Sequence, residues 1–319
     1  AILFGEYSII TGSDALILPL RIFSGQLDFL TGREGPGGSG DPEEAIQSGR
    51  DMQKLLDYLS DRESGFFSMS VHSYPALISE FIDLDRIRTD LDSGMYFSSD
   101  IPRGSGLGSS AALVAALYDS YARGNLRDAQ ESEAGLLMLR EVFSLMESYF
   151  HGHSSGIDPL CSYTGNPIHV TPGRISQVSL PALPEAYRFY LLDSGTSGET
   201  APLVRHFREK LEKDPAYNSV VKDTLTPLVN TCIQLLLRGD HPDLPERLKA
   251  LSELQFRIFP EMIPDGFRRL WTTLLEKGIA IPKLCGSGGG GFFLLFSEDP
   301  ECPERISELS PGSIIPLEL

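Results

Sequence analysis

The chain has 319 residues, of which 41% are hydrophobic and 22% charged, the balance of an ordinary globular protein long enough for two domains. Acidic residues outnumber basic ones by 44 to 27, a formal net charge of −17, so the surface repels nucleic acid and anionic membranes. Four scattered cysteines (Cys161, Cys232, Cys285, Cys302), with no C-x-x-C and no metal-ligand spacing, read as free thiols of a reducing cytoplasm, and no run reaches the about 18 apolar residues of a membrane span.

Through Leu20 the pattern is strand, turn, strand, with turn signals at Gly5, at Thr11-Gly12-Ser13-Asp14 and at Pro19. Phe23–Leu30 reads as a third strand. Residues 32–49, rich in Gly, Pro, Ser and Glu, read as a surface loop. Helices are expected over 52–59 and 75–81, then a strand over 94–101 that delivers the chain to a glycine-rich run. Further helices are expected over 109–123 and 129–150, strands within 167–193, and helices over 200–212, 218–237, 244–258 and 264–277. A last strand pair, 280–284 and 292–296, brackets a second glycine run. The Pro-punctuated stretch Leu180–Pro184 marks a change from mixed to helix-dominated pattern, which predicts domains over 1–184 and 185–319.

The first glycine run is Pro102-Arg103-Gly104-Ser105-Gly106-Leu107-Gly108-Ser109-Ser110-Ala111-Ala112. Glycines at alternate positions leave backbone N–H groups free to curl around an anion. The Ala- and Leu-rich segment that follows predicts a helix, whose N-terminus aims further N–H groups and the positive end of its dipole at the same point. Phosphate is the natural occupant. The loop has no Lys and reads G-x-G-x-G, so it is neither a Walker loop nor a dinucleotide fingerprint. A flexible Gly/Ser linker is the alternative, but linkers do not run straight into an apolar helix.

Leu136, Leu139, Phe143, Met146 and Phe150 form a helical stripe, and Glu147 points with it. A carboxylate there is either paired, hydrogen-bonded or metal-bound, or it is a rim residue reaching solvent, and periodicity leaves both open. Residues 151–159 are polar and Gly-rich, and Asp158 before Pro159 fits an ordinary turn. His151 and His153 have no third ligand at metal spacing. Gly286–Gly291 holds more glycine than a hairpin needs, which predicts close approach of another backbone or of a ligand. Asp193–Thr200 has helix-capping character, and Glu6 taken alone reads as a solvated turn residue.

Pro102–Ala112 resembles the P-x-x-x-G-L-G-S-S-A-A phosphate loop of the GHMP kinases, the family of galactokinase, homoserine kinase, mevalonate kinase and phosphomevalonate kinase. Ile2–Gly12 resembles its I-L-F-G-E-H-A-V-V-x-G, and Lys283–Gly291 its K-L-T-G-A-G-G-G-G. Glu147–Asp158 resembles the E-x-x-x-H-G-x-P-S-G-x-D of the mevalonate kinases, the members it is most like. The resemblance implies an α/β (α+β) fold with an S5-like N-terminal and a ferredoxin-like C-terminal domain, ATP and Mg2+ as cofactors, and phosphoryl transfer to a small-molecule hydroxyl. It implies that Gly104, Ser105, Gly106, Leu107, Gly108, Ser109 and Ser110, with Gly288 and Gly289, hold the nucleotide. Ser110 and Glu147 would hold the metal, and Asp158 would be the catalytic carboxylate. Glu6, Tyr7, Ser155, Gly156 and Thr200 would face the substrate, and Ser109 is expected to cap the helix or reach phosphate through its N–H.

Tyr7 stands where the mevalonate kinases more often have His, which weakens the match to mevalonate and keeps phosphomevalonate kinase, or a sugar or homoserine kinase, in view. The family's catalytic Lys is expected directly before Ala1. A catalytically silent small-molecule-binding regulator is the rival from another class, and the joint presence of Ser110, Glu147 and Asp158 argues against it. The expected setting is cytoplasmic, with ATP and a small-molecule substrate as partners, no nucleic acid or membrane, and room for a homodimer.

Overall fold

A computed structural model describes residues 1–30, 42–63, 77–102, 105–124, 126–198 and 200–319. In chain order the strands are β1 (Ile2–Phe4), β2 (Ala15–Ile17), β3 (Gly25–Phe29), β4 (Met95–Ser99), β5 (Ile168–Thr171), β6 (Arg174–Gln177), β7 (Arg188–Asp193), β8 (Ile281–Leu284), β9 (Phe292–Ser297) and β10 (Ile314–Leu317). The helices are α1 (Pro42–Glu63), α2 (Leu84–Asp92), α3 (Ser109–Tyr121), α4 (Glu133–His151), α5 (Ile157–Thr164), α6 (Thr200–Lys213), α7 (Pro215–Val220), α8 (Thr226–Arg238), α9 (Leu244–Ile258), α10 (Asp265–Glu276) and α11 (Cys302–Ser307). Among the described residues no helix is long and apolar enough to cross a membrane.

The chain divides into two compact units. One comprises Ala1–Ile22, Pro102–Leu107 and Asn166–Leu319, the other Phe23–Ile101 and Gly108–Gly165. This division differs from a single cut at 184/185. Strand pairing is the reason: β2 and β5 run antiparallel with Ala15 opposite Val170 and Ile17 opposite Ile168, which ties the stretch after Gly165 to the N-terminal strands.

The first unit holds two antiparallel four-stranded sheets, ordered β1-β2-β5-β6 and β10-β7-β9-β8. In the second sheet β7 is followed by helices, then by β8, β9, α11 and β10. This is a β-α-β-β-α-β succession in which the first strand lies between the fourth and the third, the ferredoxin-like arrangement that the family resemblance implies. Its central strands are covered on both faces and so read as apolar runs without alternation: all of Phe292–Ser297 and Phe189–Leu192 is buried. Phe267 of α10 stacks on Phe293 at 3.8 Å, and Trp271 beside it donates its ring N–H to Ser252 Oγ of α9 at 2.9 Å. The single helix expected over 218–237 is interrupted by a π segment, Val221–Leu225. Pro227 follows it, and its missing N–H and its ring do not fit a regular α ladder.

The second unit pairs β3 with β4, from Gly25 opposite Ser99 to Phe29 opposite Met95, and carries α1 to α5. α1 starts at Pro42, ten residues earlier than the composition suggests. Ala45, Met52, Leu55, Leu56 and Leu59 form its buried stripe, and Glu43 and Glu44 suit the positive end of its dipole. The remainder of the loop expected over 32–49 lies outside the described residues. Of the helix expected over 75–81, the described part forms only a 3-10 turn, Ile78–Glu80. Three rings lock α3, α4 and α5 together: Tyr118 meets Phe143 edge-on at 4.9 Å and Tyr163 at 5.4 Å, and Phe143 meets Tyr163 at 5.5 Å.

Candidate active site

The candidate residues fall into two sets, one in each compact unit. In the second unit α3 begins at Ser109, and the residue that caps it is Gly108 at φ 85°, ψ 37°, with no side-chain cap. Ser109 is therefore the first helical residue and not the cap expected from sequence, because the chain enters the helix through a left-handed conformation that suits glycine. The first-turn N–H groups are left without a capping side chain, the arrangement that binds anions.

Within the first turn of α3, Ser110 Oγ donates to Glu147 Oε1 at 3.1 Å. Glu147 lies on the apolar face of α4 and is only 5% exposed, so it is not a rim residue. Its other oxygen, Oε2, accepts from Ser154 Oγ. The Gly156 N–H donates to Ser154 Oγ at 3.0 Å. Two serines one turn apart on α4 pin this segment: Ser144 Oγ donates to the Ser154 carbonyl at 2.6 Å, and the Ser154 N–H donates to Ser148 Oγ at 3.1 Å.

Gly156, expected to face the substrate, is the contact that seats α5 on α4. It sits at φ 72°, and a Cβ there would lie 2.0 Å from the Arg140 carbonyl oxygen. It is also the N-cap of α5, so Asp158 occupies the first turn of a helix rather than the turn that its pairing with Pro159 suggests. Asp158 is half-buried, and Ser155 is exposed with its Oγ 3.4 Å from the Ile157 N–H.

Burial pushes the Glu147 carboxyl up to about 7, and the Asp158 charge adds to this, while the hydrogen bonds from Ser154 and Ser110 act against it. A carboxylate poised to lose its proton, a second carboxylate close enough to raise it, and a hydroxyl at 3.1 Å form an all-oxygen donor set with excess negative charge. Such a set fits a hard divalent cation. Among the described residues no group of three or more His, Cys, Asp or Glu is clustered. A cation at Glu147 would therefore complete its shell with hydroxyl, water or phosphate oxygens.

In the first unit the Ser105 N–H donates to the Pro102 carbonyl at 3.3 Å, and Ser105 Oγ accepts from the Leu107 N–H at 3.3 Å. Gly106 stands at φ 75°, and a Cβ there would meet nothing within 4 Å, so this side of the loop is open. Gly104 lies outside the described residues.

The second glycine run is hemmed in by backbone. A Cβ on Gly291 would lie 2.2 Å from the Ser105 carbonyl oxygen, one on Gly290 2.6 Å from Ser197 C, and one on Gly288 2.4 Å from the Met262 carbonyl oxygen. The Gly289 N–H donates to Met262 O at 2.6 Å. Close approach of other backbone thus accounts for the glycines at 288, 290 and 291.

Glu6 is not a solvated turn residue. It is buried and ion-paired with Lys283 of β8, whose Nζ also donates to Leu284 O at 2.5 Å. Burial pushes the Glu6 carboxyl up and the Lys283 charge pulls it back. Tyr7 has φ 61°, rare for a residue with a side chain. Its ring packs on Phe207 at 4.9 Å and Phe259 at 5.1 Å, and its hydroxyl donates to Ser287 O at 2.5 Å. Thr200 Oγ1 lies 3.0 Å from Ser287 Oγ. The structure thus brings Tyr7 and Thr200 together at Ser287 and sends Glu6 to Lys283. Ser144, Ser148, Ser154, Lys283 and Ser287 were not anticipated as site residues. The serine spacing on the buried side of α4 and a Lys closing an apolar strand were the signals available.

Residues 77–166 match the family model described as the GHMP kinases N terminal domain. The mevalonate kinase of Thermococcus gammatolerans is 24% identical over 325 residues, spanning 98% of this chain and 90% of that relative. The mevalonate kinase of Methanothermobacter thermautotrophicus is 30% identical over 216 residues, 66% of this chain and 64% of that relative. Among solved structures, L. major mevalonate kinase in complex with R-mevalonate shares the fold with a TM-score of 0.62 at 19% identity, covering 96% of this chain and 87% of that one. Residues 77–166, which include the uncapped start of α3 and the buried Glu147, thus match the GHMP kinases N terminal domain, and the chain is similar in sequence and in fold to mevalonate kinases over most of its length.

Proposed function

We propose that the chain transfers the γ-phosphoryl group of ATP to the primary hydroxyl of mevalonate. The observation that carries this reading is the Ser110–Glu147 contact of 3.1 Å at the uncapped start of α3, with the Asp158 charge close by. Ser110 and Glu147 would hold Mg2+, which when bound draws off charge from the phosphate oxygens during transfer. The first-turn N–H groups of α3 would bind phosphate. Asp158 would orient the acceptor hydroxyl and take its proton. The mevalonate kinase relatives, one of them aligned over 98% of this chain, support mevalonate as the acceptor. The reading carries a small-molecule acceptor and ATP as the partners, and a cytoplasmic setting in keeping with four buried cysteines outside any disulfide.

A second reading, phosphomevalonate kinase, rests on the sequence Gly5-Glu6-Tyr7, in which Tyr7 stands where the mevalonate kinases more often have His. The deciding experiment is ATP turnover with mevalonate, phosphomevalonate, homoserine and galactose offered separately, with products identified by 31P NMR. Phosphorylation of mevalonate at the highest kcat/KM is the expected result. Turnover of phosphomevalonate alone would establish the second reading, and nucleotide binding without turnover of any acceptor would overturn both.

A further inference from the structure

The two serines on Glu147 are not equivalent. Ser110 Oγ, at 3.1 Å from Oε1, can turn its proton aside and offer a lone pair to a cation. Ser154 is different. It is 8% exposed, so its hydroxyl does not exchange partners with bulk water. The Gly156 N–H donates to Ser154 Oγ at 3.0 Å, which leaves the hydroxyl proton for Glu147 Oε2, an acceptor with no proton to give when ionised. With Glu147 ionised, the relay therefore runs from Gly156 N–H through Ser154 O–H to Glu147. Because Gly156 is the N-cap of α5, the same relay ties the helix that carries Asp158 to the carboxylate of α4.

Ser154 also stands where the motif E-x-x-x-H-G-x-P-S-G-x-D, which Glu147–Asp158 resembles, has its proline. Proline has neither a hydroxyl nor an N–H, and this chain uses both: the N–H goes to Ser148 Oγ at 3.1 Å and the hydroxyl to Glu147. With Ser110 on one oxygen and Ser154 on the other, the carboxylate has one orientation. A carboxylate that ligates a metal is commonly held by such a partner, and losing the partner weakens the metal.

We infer that Ser154 is a positioning residue of this chain, whose hydroxyl orients Glu147 so that Glu147 and Ser110 together present oxygen to a divalent cation. The inference rests on the reading of Ser110 and Glu147 as cation ligands, and the experiment separates the two. Mn2+ binding is measured by electron paramagnetic resonance in the presence of a non-hydrolysable ATP analogue, for the wild type, Ser154→Ala, Ser154→Thr and Glu147→Gln. The Mg2+ dependence of turnover is measured alongside.

Ser154→Ala is expected to weaken Mn2+ binding by about 10-fold or more, with a matching rise in the Mg2+ needed for half-maximal rate and little change in the KM for ATP at saturating Mg2+. Ser154→Thr keeps the donor and should restore wild-type affinity. A merely structural serine would lower the melting temperature and leave the Mn2+ affinity of the folded protein unchanged. If Glu147→Gln loses Mn2+ while Ser154→Ala binds it as the wild type does, the inference about Ser154 is overturned and the ligand assignment stands. If Glu147→Gln itself binds Mn2+ normally, the ligand assignment fails and the inference with it. Should Ser154→Ala fail to fold, Ser154→Cys keeps the shape with only a weak donor and answers the same question.

Discussion

Glu147→Gln should make the metal-free protein more stable while destroying its activity, and only at neutral and alkaline pH. Burial and the Asp158 charge hold the Glu147 carboxyl at about 7 against an ordinary value of 4.5. Between those values the folded chain binds more protons than the unfolded chain, so stability falls as the pH rises from about 4.5 to about 7. At about 1.4 kcal/mol per pH unit, the full cost above pH 7 is about 3 kcal/mol. Below about pH 4.5 both states are protonated and the cost vanishes. Glutamine has the shape without the charge, and its carbonyl oxygen can still accept from one of the two serines. In the presence of EDTA, urea unfolding at about pH 5, 6.5 and 8 should show a gap between Glu147→Gln and wild type that opens with pH, reaching roughly 2–3 kcal/mol at the top of the range. Adding Mg2+ with a nucleotide analogue should then stabilise the wild type by mass action and leave the variant behind. A gap that does not change with pH, or a variant less stable than wild type at about pH 8, would refute the reasoning.

Gly156→Ala places a Cβ 2.0 Å from the Arg140 carbonyl oxygen on a residue at φ 72°, so a stability loss of about 3 kcal/mol or more is expected; an unchanged melting temperature would show that α5 can move off α4 at little cost. Lys283→Met leaves Glu6 buried without its counter-ion and should cost about 3–5 kcal/mol, part of which Glu6→Gln in the same chain should return. Equal unfolding curves for Lys283→Met and wild type would rule this out. Asp158→Asn should lower kcat by about 100-fold or more with the KM for ATP nearly unchanged, and should make the metal-free protein slightly more stable above about pH 7, because Glu147 loses a neighbouring like charge. Near-normal kcat would reduce Asp158 to a helix-start residue.

Strongly periodic elements were legible in the sequence. The helix expected over 244–258 spans those residues, and α4 and α10 start or end within a few residues of expectation. The misses have specific causes. α1 begins before its apolar pattern does because Glu43, Glu44, Gln47, Ser48 and Gly49 are polar or small, and the single buried Ala45 carries too little signal to extend the stripe backwards. α5 is hidden in the sequence because its start is Gly156 with Pro159 three residues on, which look like turn chemistry and in the structure are a left-handed cap and a first-turn proline. The division of the chain depends on β2 pairing with β5, a contact between residues more than 150 apart that no local pattern announces.

At the site, sequence named Ser110, Glu147 and Asp158, but not how they are held. Spacing could show that Glu147 points with an apolar stripe, yet not whether solvent reaches it. Burial decides that, and burial comes from α5, seated on α4 through Gly156, and from α3, locked by the Tyr118, Phe143 and Tyr163 rings. The same seating brings the Asp158 charge to bear on Glu147. A fold selected for stability alone would separate the two carboxylates or replace one of them, since the pair costs free energy wherever both are ionised. Here serine hydroxyls from α3 and from the segment before α5 hold Glu147 in place, and nothing among its hydrogen-bond partners neutralises it. The carboxylate is therefore held in place while burial and the Asp158 charge both act against its ionised form. A divalent cation bound at Glu147, as proposed above, would offset both the burial of that charge and its repulsion from Asp158, so the pH-dependent cost to the metal-free protein and the affinity for the cation would have one origin.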